Sequence, residues 1–198
     1  KRIGYQHGPI SRRKLLFFLS KNEINFESKD LLNCVPTPHS IEVEDEFSLS
    51  LYAEAGYENL NLMARVPRLE SLFDIKRKES KSRNVLIVCG SNDAFFILNF
   101  LRSEILASKD TNYIFKLHPR GNNKSVMTAL DNFKPSNFEI ANKDLAYYLE
   151  FISEVYVTYS SVGVEAMKIG IPVRLIDLPN LIQESPIKDL PENKFLIQ

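Results

Sequence analysis

"NVLIVCGSNDAFFILNFLRSEILASKDTNYIFKLHP", residues 84–119, reads as strand, turn, helix, turn, strand. "NVLIVCG" (84–90) is an unbroken apolar run, the pattern of a strand buried on both faces, whereas a strand with one wet face alternates. "NDAFFILNFLRSEILASK" (92–109) has helical periodicity, and "NYIFKLHP" (112–119) is a second strand. Two strands joined through a helix form a βαβ unit, whose connection makes the strands parallel. Working outward toward the carboxyl end, the alternation continues. "KSVMTALDNF" is a helix, "NFEIA" a strand, "KDLAYYLEFI" a helix, "EVYVTY" a strand, "SVGVEAMKIG" a helix and "IPVRLID" a strand. Strict alternation of this kind predicts an α/β fold built on a doubly wound parallel sheet, with ligands at the carboxyl ends of the strands.

In the other direction, "DIKRKESKSRN" (74–84) has no apolar residue after Ile75 and reads as a linker. Before it stand a strand in "RIGYQ" (2–6), a helix in "SRRKLLFFLSK" (11–21) and an extended stretch in "TPHSIEV" (37–43). A helix follows in "DEFSLSLYAEAG" (45–56), stopped by Gly56, then a strand in "NLNLMA" (59–64) and a short helix in "PRLESLF" (67–73) opened by Pro67. The expected division is 1–75, linker 76–84, and 85–198. Because the chain starts at Lys1 directly on a strand pattern, it is expected to be a piece of a longer protein.

The 198 residues are 44% hydrophobic and 25% charged, enough to bury a core and ordinary for a soluble globular chain. Lys plus Arg and Asp plus Glu balance at 25 each. No global field therefore favours nucleic acid, and an anion site has to be local. No apolar run approaches the ~18 residues of a membrane span, and no signal-peptide pattern opens the chain. Cys34 and Cys89 are far apart and read as free thiols of a reducing cytoplasm. No Cys/His cluster has metal-ligand spacing, and neither a Walker-type glycine loop nor a G-x-S-x-G elbow is present.

Four strand ends carry chemistry. After "NVLIVC", Gly90 permits a tight turn, and Ser91 or Asn92 can cap a helix whose free N–H groups favour a phosphate. In "KLHPRG" (116–121), Pro119 holds His118 extended, with Lys116 and Arg120 on either side. Flanking cations disfavour an imidazolium, so His118 suits hydrogen-bond donation to phosphate better than general-base work. In "YVTYSSVGVEAMKIGIPV" (156–173), one of Ser160 and Ser161 caps a helix. Glu165 lies four residues after Ser161 and so cannot complete a capping box. It is placed instead to accept both hydroxyls of a ribose while the serines hold the attached phosphate. Gly163 is read as a position of close ligand approach. His7, in "GYQHGP" (4–9), stands on a turn where an imidazole could act as general base on an acceptor hydroxyl.

The ordered set "QHG" (6–8), "KLHP" (116–119), "DLAYYL" (144–149) and "TYSSVGVEAM" (158–167) resembles bacterial surface-polysaccharide glycosyltransferases of GT-B type. It is similar to the CDP-glycerol glycerophosphotransferases of teichoic-acid synthesis, with their "WHG", "HP" and "DYSS" followed by an acid. It is similar also to capsular sialyl- and Kdo-transferases, in which an "HP" and a serine pair hold a CMP-activated sugar. Gln6 departs from the aromatic residue of "WHG", and Thr158 from the acid before "YSS".

The resemblance implies a GT-B-like fold: a Rossmann-like carboxyl-terminal lobe with part of an acceptor-side α/β lobe before it. It also implies a cytoplasmic transferase, at the inner face of the membrane in one version, that needs no metal or other cofactor. The donor would be CMP- or CDP-linked and the acceptor a glycan or lipid-linked glycan, with no nucleic-acid partner and with peripheral membrane association through regions outside this chain. By the likeness His7 is the acceptor-side base, His118 contacts the donor phosphate, Ser160 and Ser161 bind phosphate, and Glu165 holds the ribose. A sugar-nucleotide epimerase of the same architecture and a non-catalytic nucleotide-binding lobe are the rival readings.

Overall fold

A computed structural model describes residues 2–13, 18–19, 24, 38–121, 123–189 and 196–197. The helix expected over 11–21 falls largely outside these residues, as does Cys34.

The apolar run at 84–90 forms β4 (Arg83–Val88), buried from its second residue onward. It lies at the centre of a six-stranded, all-parallel sheet. With β5 (Thr111–Lys116), β6 (Phe138–Ile140), β7 (Glu154–Val157), β8 (Val173–Ile176) and β9 (Leu196–Ile197), the spatial order is β6-β5-β4-β7-β8-β9. Numbered from β4, this is 3-2-1-4-5-6, the Rossmann order, whose switch point lies between β4 and β7. β4 pairs with β5 from Arg83↔Thr111 to Val88↔Lys116, and with β7 from Val85↔Glu154 to Val88↔Val157.

Period-two side-chain alternation sorts the core into two layers. Val85, Ile87, Tyr113, Phe115 and Tyr156 face one way, against α3 (Ala94–Ala107) and α4 (Lys124–Asp131). Leu86, Val88, Ile114, Val155 and Val157 face the other, against α5 (Leu145–Leu149) and α6 (Val162–Lys168). Helix α3 buries Ala94, Ile97, Leu98, Leu101 and Ile105, a stripe at helical spacing. Its Glu104 carboxylate then ties three strands together. It accepts from Tyr113 (3.2 Å) and Tyr156 (3.1 Å) and meets the Arg174 guanidinium at 3.4 Å, while Arg174 donates to the Tyr156 hydroxyl at 2.7 Å. Burial pushes the Tyr156 phenol up to about 12.

A second sheet, β1-β2-β3, comprises Ile3–Tyr5, Ser40–Val43 and Leu60–Leu62, again all parallel. Helix α1 (Glu46–Glu54) covers it through Leu51 and Tyr52, which pack on Ile10, Ile41 and Val43. Asp45 caps α1 by accepting from the Ser48 N–H at 2.8 Å, and Gly56, at φ 87°, follows its end. A Rossmann-like sheet with a second, smaller parallel α/β sheet beside it is a GT-B-like arrangement.

The stretch read as a linker needs correction. Helix α2 (Pro67–Phe73) places Leu69 and Leu72 in the core layer of the larger sheet, with Val66 and Ile75 beside them. Arg77 donates to the carbonyls of Leu149 (3.0 Å) and Ile152 (2.7 Å), and the Lys78 N–H to that of Glu150. Residues 76–82 are thus a solvated excursion pinned to the end of α5, and the passage between sheets falls earlier, between β3 and α2. Charge along the run recorded its solvation, which a surface loop and a linker share.

The two sheets meet through polar contacts. Lys168 Nζ, at the end of α6, lies 3.1 Å from Asp45 Oδ2. Ser11 Oγ donates to the Glu184 carbonyl and Arg13 to that of Gln183, each at 3.1 Å, and the Arg12 N–H donates to Asp189 Oδ2 at 2.8 Å.

Candidate functional site

A cleft of about 380 Å³ opens at the carboxyl ends of β5, β4 and β7, on the switch point. It is lined by Gly90 and Ser91 after β4, by Lys116 at the end of β5 with Leu117, His118 and Pro119 after it, and by Tyr159, Ser160 and Ser161 after β7 with Val162 at the start of α6. Three strand-end motifs separated in sequence therefore converge on one cavity.

His118 is half-buried, and its Nδ1 accepts the backbone N–H of Arg120 at 3.1 Å. A ring nitrogen that accepts carries no proton, so in the neutral imidazole the proton resides on Nε2. Nε2–H is then a donor, the form suited to an anionic oxygen. Lys116 Nζ is held by the Lys143 carbonyl at 2.9 Å and lies 5.9 Å from the Tyr148 ring centroid, a fixed cation at the edge of the cleft. Ser161 is the residue before α6 but makes no side-chain cap bond, and Ser160 Oγ accepts the Val162 N–H only at 3.4 Å. Capping occupies the serine pair less than the sequence led one to expect, which leaves hydroxyl capacity toward the cavity.

Four expected residues are placed differently. Arg120 is exposed and is not among the residues lining the cleft; its backbone N–H donates to His118. Gly163 is buried, and a Cβ there would come within 2.6 Å of Ile187 and 2.8 Å of Val157. It is a packing glycine of α6 against the sheet, which corrects its reading as a point of ligand approach. Glu165 is half-buried, outside the cleft lining and one turn further along α6. It shares a helix face with Ser161, which lines the cleft, and with Lys168, which reaches the smaller sheet. His7 is exposed after β1 and lines none of the cavities described. Its neighbour Gln6 is buried instead. Gln6 Nε2 donates to the Gly8 carbonyl (2.9 Å) and Ser48 Oγ (3.0 Å), and Oε1 accepts from the Glu44 N–H (3.1 Å), fixing the turn on which His7 stands.

Two residues that the sequence did not single out shape the site. Tyr159 lies over Gly90, where a Cβ would meet its ring at 2.4 Å; the glycine makes room for that ring. Asp93, at the start of α3, is 2% exposed. Its Oδ2 accepts a short hydrogen bond from Thr158, while Oδ1 has no partner among the described residues. Burial raises the carboxyl above its usual range. The Thr158 hydroxyl and the backbone N–H groups of Gly90 and of Asp93 itself pull the other way. In the sequence an Asp before a helix is indistinguishable from an ordinary N-cap. Cys89 is free and buried, and burial holds its thiol well above the ordinary value.

No family model and no curated protein matches the chain. Among solved structures it is similar to a Listeria monocytogenes protein provisionally named a UDP-N-acetylglucosamine 2-epimerase. The identity is 13% and the TM-score 0.48, over 70% of this chain and 42% of that one. The chain thus spans less than half of that protein's length, and so distant a likeness assigns no activity.

Proposed function

We propose that the cleft binds the phosphate of a nucleotide-activated sugar or polyol, cytidine-linked in the first instance. In this reading the chain is the nucleotide-binding part of a glycosyltransferase of cell-surface polysaccharide synthesis. One observation supports it above the others: Gly90–Ser91, His118 and Ser160–Ser161 meet at the switch point of a Rossmann-ordered sheet, with the His118 proton directed to Nε2. Oxygen-rich anions are held by such sets of short donors, and a leaving phosphate is stabilised by donors already in place before charge develops. Lys116 adds a positive charge at the edge. Glu165, between the cleft and the smaller sheet, is the candidate ribose acceptor, and His7 the candidate base for an acceptor hydroxyl.

Calorimetric titration with CMP, CDP, UDP and GDP tests the binding. At least one is expected to bind, and His118→Ala is expected to weaken it about tenfold or more, the cost of one hydrogen bond to a charged group. Failure of all four to bind defeats the proposal. Turnover separates the readings of the reaction. Nucleotide release that depends on an added glycan acceptor marks a transferase, conversion of the nucleotide sugar to its epimer without acceptor marks an epimerase, and binding with neither marks a non-catalytic lobe. His7→Ala is expected to abolish acceptor-dependent release with nucleotide affinity retained.

A further inference from the structure

Strand β6 ends the larger sheet and, among the described residues, pairs with β5 alone, from Tyr113↔Phe138 to Phe115↔Ile140. In a parallel ladder, alternate residues of a strand turn both backbone groups toward the same neighbour. Asn137 and Ala141 face β5: the Asn137 carbonyl accepts from the Tyr113 N–H (2.8 Å), and the Ala141 N–H donates to the Phe115 carbonyl (2.9 Å). Glu139 shares their period, so Phe138 and Ile140 turn their backbone groups outward. The Phe138 N–H is taken by the Pro135 carbonyl at 3.2 Å. The Phe138 carbonyl and both backbone groups of Ile140 are left for an added strand, and Ile140 is 40% exposed.

A cavity opens on each face of the sheet beside this edge. One, of about 250 Å³, lies between β6 and α4 with walls of Met127, Leu130, Phe133, Phe138 and Ile140, and there Asp131 and Lys134 offset each other in charge. The other, of about 270 Å³, lies on the opposite face, where Glu139 stands beside Ile114. The amide donors around it are turned into the protein. Asn112 donates to Asn84 Oδ1 (3.0 Å), Asn84 to Ser80 Oγ (2.8 Å), and Asn137 to the carbonyls of Ser108 (2.8 Å) and Ile105 (3.0 Å). The oxygens of Asn112 and Asn137 and the Glu139 carboxylate are left as acceptors, and among the described residues Glu139 forms no ion pair. One face of the edge therefore suits apolar side chains and the other a cation.

We propose that β6 is a docking edge for an extended segment of another protein, one in which a Lys or Arg stands between two apolar residues. The segment adds a strand through backbone hydrogen bonds to Phe138 and Ile140. Its period-two side chains put the apolar pair into the groove beside α4 and the cation beside Glu139. A second copy of this chain fits the edge less well. Antiparallel pairing of β6 with its own copy keeps like faces together and sets Glu139 opposite or diagonal to the other Glu139, a destabilising pair of like charges. The docking edge does not depend on the function proposed for the cleft, and either can fail alone.

Selection of a random heptapeptide library on the whole chain, followed by titration of the enriched peptides, tests the docking edge. Enriched sequences are expected to alternate apolar, basic, apolar, and at saturation to protect the Ile140 N–H from hydrogen exchange. Glu139→Lys exchanges attraction for repulsion, so it is expected to weaken these peptides about fivefold or more. The same variant is expected to prefer peptides carrying Glu in place of the cation. Ile140→Pro removes an outward N–H that the β5 ladder does not use, and is expected to weaken binding by about fivefold as well. Absence of enrichment overturns the proposal, as does binding that either variant leaves unchanged. Concentration-dependent self-association that protects the Ile140 N–H makes a second copy the occupant and overturns it too.

Discussion

The carboxylate of Asp93 is held at a cost that depends on pH. Burial raises its folded pKa above the ordinary Asp value, so the ionised form destabilises the fold at neutral and higher pH. The penalty diminishes as pH falls through the raised folded value and disappears below the unfolded one. Asp93→Asn is therefore expected to stabilise the protein by roughly 1 kcal/mol at about pH 8, with the gain shrinking toward about pH 4. Urea midpoints at the two pH values read it, and a pH-independent difference would remove burial of charge as the cause. His118, Ser160 and Ser161 were legible from the sequence because each follows an apolar strand, where a parallel sheet exposes its chemistry. Asp93 was not, because its distinction is a missing partner, a property of surroundings assembled from Thr158, sixty-five residues away.

At the level of elements, strand ends are shaped by what the neighbouring strand delivers. Gly90 is the case in point: the ring above it comes from the turn after β7, and a Cβ would overlap that ring at 2.4 Å. Gly90→Ala is expected to displace Tyr159 and destabilise by about 1–3 kcal/mol. A tyrosine fluorescence or ring-proton change should accompany the lower thermal midpoint; an unchanged Tyr159 environment would show that the overlap is relieved elsewhere. Helices and strands from β4 to β8 follow the hydrophobic period closely, since a strand buried on both faces leaves little ambiguity. Three things escaped that period. Helix α2 joins the larger sheet because Leu69 and Leu72 find its core, and seven residues of pattern do not say which core. Strand β9 has two residues, too few for any pattern. Gly163 reads as a gap left for a ligand, although the gap is filled by Ile187, which arrives from beyond β8.

For the molecule as a whole, the contact between the sheets is polar and half-exposed, so its strength follows solution conditions. The Asp45 carboxyl, although burial alone would raise it, is drawn below the usual range by Ser48 and Lys168. Its contribution is complete above the ordinary Asp value and is lost as pH falls through the lowered folded value. Asp45→Ala, which removes both the cap of α1 and the Lys168 link, is expected to cost about 1 kcal/mol at neutral pH. In acid the difference should fade, as denaturant midpoints would record. The larger sheet was legible as a class from alternation alone; its strand order was not, because alternation leaves open which side of β4 each later strand joins. That order has a consequence for synthesis. β4 receives its second neighbour only from β7, nearly seventy residues downstream. At the ribosome's ~5–20 residues per second, a nascent chain holds a greasy, half-dressed strand open for on the order of several seconds, a natural stopping place for a chaperone.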